Sequence, residues 1–188
     1  MMNESKIVVA VTGASGAIYA KVLLDSLSQL VDNPKNVALV MSKVAKEVWQ
    51  FELGNSDFEN YPFTSYDHAD FYAPFASGSS DFKTMIVCPC TMGTLGRIAH
   101  GVADDLITRA ADVILKERRK LILVARETPF SLIHLENMRL ITLAGGVILP
   151  ANPSFYSKPQ NMEELVKTVT DRVLQQIGFE TSGFKWGE

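Results

Sequence analysis

The chain has 188 residues, 47% of them hydrophobic and 21% charged, enough for one domain with a substantial core and ordinary for a globular protein. Eighteen Lys and Arg against 21 Asp and Glu leave a formal net charge of −3, with the cations spread rather than gathered into a stripe. That argues against nucleic acid or a polybasic membrane surface as the main partner and leaves a small molecule as the expected one.

The N-terminus carries no signal pattern and no apolar stretch is long enough to span a bilayer, so the expected location is cytoplasmic. Ile7 to Val11 reads as a first strand, Ala17 to Leu30 as a helix, Val37 to Met41 as a second strand and Val44 to Phe51 as a second helix. Gly54 to Asp81 is polar, without clear periodicity and rich in aromatics, and is expected to be a long functional or interface excursion. Met85 to Cys88 is a third strand, Met92 to Ala99 and Leu106 to Arg118 are helical, and Leu121 to Ala125 is a fourth, fully apolar strand. Ser131 to Leu143 is helical, Val147 to Leu149 is a short fifth strand, and Asn161 with Glu164 forms a capping box opening a helix to about Ile177. Strands alternating with helices predict a doubly wound parallel α/β sheet.

Open sheets of this kind bind ligands beyond the carboxyl ends of their strands. Three predicted strand ends carry hydroxyls or glycines: Gly13, Ala14 and Ser15 after the first, Ser42 after the second, and Thr91, Met92, Gly93 and Thr94 after the third. Each alone is an ordinary turn or N-cap. Together, beside Arg126 and Glu127 at the end of the fourth strand, they make a phosphate-bearing ligand the expected occupant. The first turn lacks the full G-x-G-x-x-G spacing and a P-loop Lys, so it suits a mononucleotide or flavin phosphate better than NAD or ATP. At the fourth strand end the structural alternative is a salt-bridged loop, with Thr128 as N-cap and Pro129 at the first helical position.

Arg109, Asp112 and Lys116 fall on one helix face, the usual pattern of a solvated surface, and Arg172 in the last helix has the same ordinary reading. Tyr156, in a proline-rich stretch after the fifth strand, offers a phenolic donor. Cys88 and Cys90 flank Pro89 at a spacing suited neither to a disulfide nor to zinc and read as packing residues, and His68, His100 and His134 show no metal spacing.

These residues together resemble the UbiX-type flavin prenyltransferases nearly from end to end. The resemblance rests on Thr12–Ala17, Ser42–Lys43, Ala76–Ser79, Cys88–Thr91 with Thr94–Leu95, Arg109–Val113 with Leu115–Arg118, Arg126–Pro129 and Phe155–Tyr156. It implies a single Rossmann-like (flavodoxin-like), three-layer α/β/α domain over residues 1–188. The C-terminal helix and tail, about 161–188, would pack on the body or on a neighbouring subunit.

The resemblance further implies metal-independent transfer of a dimethylallyl group from dimethylallyl phosphate to N5 and C6 of reduced FMN. The product would serve a UbiD-type decarboxylase in ubiquinone biosynthesis or aromatic acid decarboxylation, and the oligomer would be a dodecamer with shared sites. Gly13, Ala14, Ser15, Ser42, Thr91 to Thr94 and Arg126 would hold FMN. Tyr156, Arg172, Arg126, Arg109 and, from a neighbouring subunit, Lys116 would bind the donor phosphate. Glu127 would handle protons, with Ser15 and Lys116 also catalytic, Glu52 a nearby carboxylate and Trp186 an aromatic wall. Asp104–Asp105 departs from the usual Asp-Asn or Asn-Asn pair, and the extra charge is expected either to tune the flavin or to have no effect. The alternatives are a flavin-dependent cysteine decarboxylase, whose Pro-x-Met-Asn clamp and catalytic His are not evident here, and a non-catalytic FMN carrier.

Overall fold

The structure is a computed structural model that describes residues 5–181, 183, 184 and 187. Its strands are β1 (Lys6–Val11), β2 (Val37–Met41), β3 (Thr64–Tyr66), β4 (Phe82–Cys90), β5 (Lys120–Ala125) and β6 (Val147–Pro150). Its helices are α1 (Ala17–Leu30), α2 (Lys43–Leu53), α3 (Met92–Ala99), α4 (Leu106–Lys116), α5 (Leu132–Leu143) and α6 (Met162–Gln176). The strands form one sheet in the order β3-β2-β1-β4-β5-β6, every pair parallel.

The five strands expected from the sequence therefore lie in flavodoxin-like order, and β3 is added at an edge. It falls inside the 54–81 excursion, where the lack of periodicity gave no strand to expect. Thr64-Ser65-Tyr66 has no apolar run to announce it; backbone pairing with β2 makes it a strand. The aromatics of the excursion are structural. Phe58 packs edge-on against the fully buried Trp49 at 5.8 Å, and Phe75 lies between Tyr66 and Phe82.

Strands buried on both faces need apolar residues at every position, and alternate residues supply two separate cores. Val9, Val11, Leu39, Ile86 and Val124 face a layer made by α1, α2 and α6, while Val8, Ala10, Val40, Val87 and Leu123 face α3, α4 and α5. The chain leaves β1 toward one layer and β4 toward the other. These adjacent strands therefore open a crevice at their carboxyl ends, the topological switch point.

Candidate active site

Backbone and side-chain ties bring the predicted strand ends into one row. Ser42 N–H donates to the Val11 carbonyl at 3.0 Å, Arg126 N–H to Cys90 at 3.2 Å and Ala151 N–H to Ala125 at 2.9 Å. Between β1 and β4 the tie is the buried Thr12 hydroxyl, which donates to the Pro89 carbonyl at 2.8 Å and accepts from Thr91 N–H at 2.9 Å. Here β4 carries one extra residue: Cys88 and Pro89, between its pairings at Val87 and Cys90, lie opposite the single Val124 of β5. Pro89, lacking an N–H, fits such an irregularity, which redirects the strand end toward the crevice.

Thr91 caps α3 and Ser42 caps α2 through their hydroxyl oxygens. The first-turn amides of Met92 and Gly93 point out of α3, and a β-carbon on Gly93 would meet nothing within 4 Å. Gly13 has a different reason: a β-carbon there would lie 2.4 Å from Val44 in the first turn of α2. Gly16 needs its positive φ of 104° to start α1.

The N-terminus of α1 is already occupied. Glu52, at the end of α2, accepts hydrogen bonds from Gly16 N–H at 2.9 Å and Ala17 N–H at 2.7 Å. Those two amides are therefore engaged within the chain, as is the Ser15 hydroxyl. Partial burial raises the Glu52 carboxyl, but the Ser15 hydroxyl, the two amides and the Arg126 charge outweigh it and hold the group below its ordinary value of 4.5. Ser15, Glu52 and Arg126 thus form one electrostatic unit at the crevice mouth. Tyr19, not foreseen from the sequence, joins it by donating from its hydroxyl to the Ala151 carbonyl at 3.3 Å. Burial and Cys88 raise the Tyr19 phenol, partly offset by Arg126.

Beyond β5, Arg126 and Glu127 are exposed, and Glu127 accepts from Thr128 N–H at 2.9 Å. No ion pair joins Arg126 to Glu127 among the described residues. Thr128 is not the helix cap. Ser131 caps α5 through a reciprocal box with His134, so residues 126–130 form a free-standing turn at the crevice edge. Cys88 and Cys90 are fully buried, which raises both thiols, Cys90 to about 12, as expected of packing residues.

The remaining predicted residues lie elsewhere on the chain. Tyr156 and Arg172 come together in an open cleft of about 760 Å³ on the flank of α6, between that helix, the loop after β6 and the C-terminal tail. No strand-end residue lines it. Arg172 lies in the later part of α6, whose last carbonyl (Gln176) accepts from Lys120 at the start of β5, the amino edge of the sheet. Lys116, at the end of α4, pairs with Glu117 at 2.6 Å, and the two side chains crowd Gly78. Arg109 is committed within the chain, donating to the Ala76 carbonyl at 3.0 Å and to Asp112 at 3.1 Å. Trp186 lies outside the described residues. Asp104 and Asp105 both pair with Arg97, at 2.6 and 2.9 Å, and Asp105 caps α4. One guanidinium thus offsets one of the two carboxylate charges locally.

A doubly wound sheet with glycines, hydroxyls, free amides and an Arg at its switch point defines a mononucleotide-binding α/β protein. The Flavoprotein family matches residues 1–174. Flavin prenyltransferase UbiX of Methanocaldococcus jannaschii is 43% identical over 185 residues, covering 97% of this chain and 98% of its own. A dodecameric FMN-dependent UbiX-like decarboxylase from Escherichia coli O157:H7 has a TM-score of 0.92 at 42% identity, over 97% of this chain and 100% of its own. A UbiX protein solved with FMN and dimethylallyl pyrophosphate gives 0.87 at 41% identity, over 97% and 100% of the two chains. The chain belongs to the UbiX-type flavin prenyltransferase family. An FMN-dependent cysteine decarboxylase of thioviridamide biosynthesis, at 15% identity and a TM-score of 0.65, shares the fold alone.

Proposed function

We propose that this protein is a flavin prenyltransferase that joins the dimethylallyl group of dimethylallyl phosphate to N5 and C6 of reduced FMN. The observation that carries the reading is the Glu52 carboxylate held on the Gly16 and Ala17 amides at the switch point, with Arg126 and Glu127 exposed at the end of β5, in a chain that covers 98% of a UbiX relative. The donor set fits the flavin nucleotide: the exposed Ser15 hydroxyl, the partly buried Ser42 and Thr91 and the first-turn amides of α3 suit its phosphate and ring acceptors. Ser15, Ser42, Thr91–Thr94 and Arg126 would hold it. Bound reduced flavin supplies the nucleophilic positions that receive the alkyl group.

The chain's own residues do the rest. Breaking the allylic C–O bond releases phosphate, whose charge Arg126, Tyr156, Arg172 and Lys116 stabilise. Glu127 takes the proton lost on alkylation at C6 and assists departure of the phosphate. Within one chain these groups sit at three places: the strand ends, the α6 flank and the end of α4. A complete site therefore forms between copies, as the dodecameric relative would allow. A UbiD-type decarboxylase is the proposed recipient of the product.

Ionisation of Glu52 under the α1 amides and Arg126 suits it to fix Ser15 and Arg126 rather than to donate a proton at neutral pH. The test is mass spectrometry of the flavin after anaerobic incubation with reduced FMN and dimethylallyl phosphate. A gain of about 68 Da, one C5H8 unit, is expected, and unmodified FMN overturns the reading.

A further inference from the structure

Tyr156 is 67% exposed on a loop built of prolines and serines, so something must fix its ring before its hydroxyl can address a ligand. Phe184 in the C-terminal tail lies against it, ring centroids 5.8 Å apart and planes 18° from parallel. That separation is within the range of favourable aromatic pairs.

Two contacts seat the tail. Gln175 donates from its side-chain amide to the Thr181 hydroxyl at 2.8 Å while its carbonyl oxygen accepts from Arg172 at 2.5 Å, so one side chain orients both the tail and a cleft cation. Further on, Gly183 lies so close to Asp171 that a β-carbon would fall 2.9 Å from the carboxylate oxygen. The Asp171 side chain is only 6% exposed and its other oxygen is bound by Lys167, so it has little room to retreat. Glycine is needed at 183 for space; its φ is not in the left-handed range.

We infer that Phe184, seated by the Asp171–Gly183 contact, is a positioning residue for Tyr156 in the donor half of the site. This rests on the reading of Tyr156 as a ligand of the donor phosphate. Stacking removes ring freedom before the donor arrives and so lowers the donor concentration needed without entering the chemical step.

The test is anaerobic steady-state prenylation of reduced FMN with dimethylallyl phosphate as the varied substrate. Phe184→Ala should raise KM for the donor about three- to tenfold, the worth of one aromatic pair, with kcat within about twofold and FMN affinity unchanged. Phe184→Tyr should restore KM, Gly183→Ala should reproduce the Phe184→Ala defect, and Phe184→Ala should add nothing in a Tyr156→Ala background. An unchanged KM in Phe184→Ala, or its full effect persisting without Tyr156, overturns the inference while leaving the proposed function standing. A wild-type protein that does not turn over the donor removes both.

Discussion

The carboxyl edge of the sheet and the flank of α6 are built in opposite ways. At the edge, Ser42, Thr91 and Arg126 hang directly from strands buried on both faces, and hydrogen bonds from Thr12 and the neighbouring strands fix their spacing. On the flank, Tyr156 and Arg172 are exposed side chains whose neighbours belong to a proline-rich loop and a chain terminus. Groups at strand ends keep their geometry without a ligand, whereas a loop group such as Tyr156 needs a further partner to order it, which within this chain is the Phe184 ring. Under the proposed function, the flavin half of the site would then be preformed in one chain and the donor half completed where copies meet, as the dodecameric relative would allow.

The sharpest challenge to that division is Glu127→Gln. It should slow prenylation about 10²- to 10⁴-fold, the usual worth of a positioned acid or base, with FMN still bound, as single-turnover kinetics and flavin fluorescence would report. Prenylation at the wild-type rate would remove Glu127 from the chemistry.

Next in size, Arg172→Leu should cost the donor about ten- to a hundredfold in kcat/KM, as expected for a charge-assisted contact, and leave FMN affinity intact. Mixing this variant with Glu127→Gln and reassembling the oligomers tests the division itself. Sites drawn from different copies recover part of the activity, whereas a site confined to one chain recovers none.

Thr12→Val keeps the shape but removes the partner of Thr91 N–H and one of the two donors to the Pro89 carbonyl, the Thr12 N–H remaining. A loss of about 1–3 kcal/mol in chemical denaturation is expected, together with weaker FMN binding, because Thr91 loses its tie to β1. An effect on the donor alone would place Thr91 in the other half.

Smallest is Glu52→Gln, whose signature is its pH dependence. The Glu52 carboxyl is held below 4.5 in the fold, so its contribution is fully present above the ordinary carboxylate range and fades as pH falls through the lowered value. The gap in Tm between wild type and Glu52→Gln should therefore be open at neutral pH and close in acid. A gap that does not depend on pH would mean that the charge at the α1 N-terminus contributes nothing.

Much of this was legible because burial leaves a mark on composition. The apolar runs of β1, β2, β4 and β5 could be nothing but central strands, and the residues that follow such strands are where an α/β sheet keeps its ligands. Asn161 likewise announced α6, although Glu164 reaches back to Gln160 N–H rather than to the cap's own. Elements held by tertiary partners left no such mark. Thr64–Tyr66 is a strand only because β2 offers it an edge, and Ser131 rather than Thr128 starts α5.

Five of the six strands and the row of polar groups at their carboxyl ends follow from the chain's own pattern, since each depends on which residues water excludes and which turns glycine or hydroxyl residues permit. Tertiary packing is what sets Glu52 at the α1 N-terminus and turns Arg97 onto both Asp104 and Asp105. It alone parted Tyr156, Arg172 and Lys116 from the strand ends. A carboxylate that reaches backbone amides 36 residues away depends on distances that no local pattern encodes.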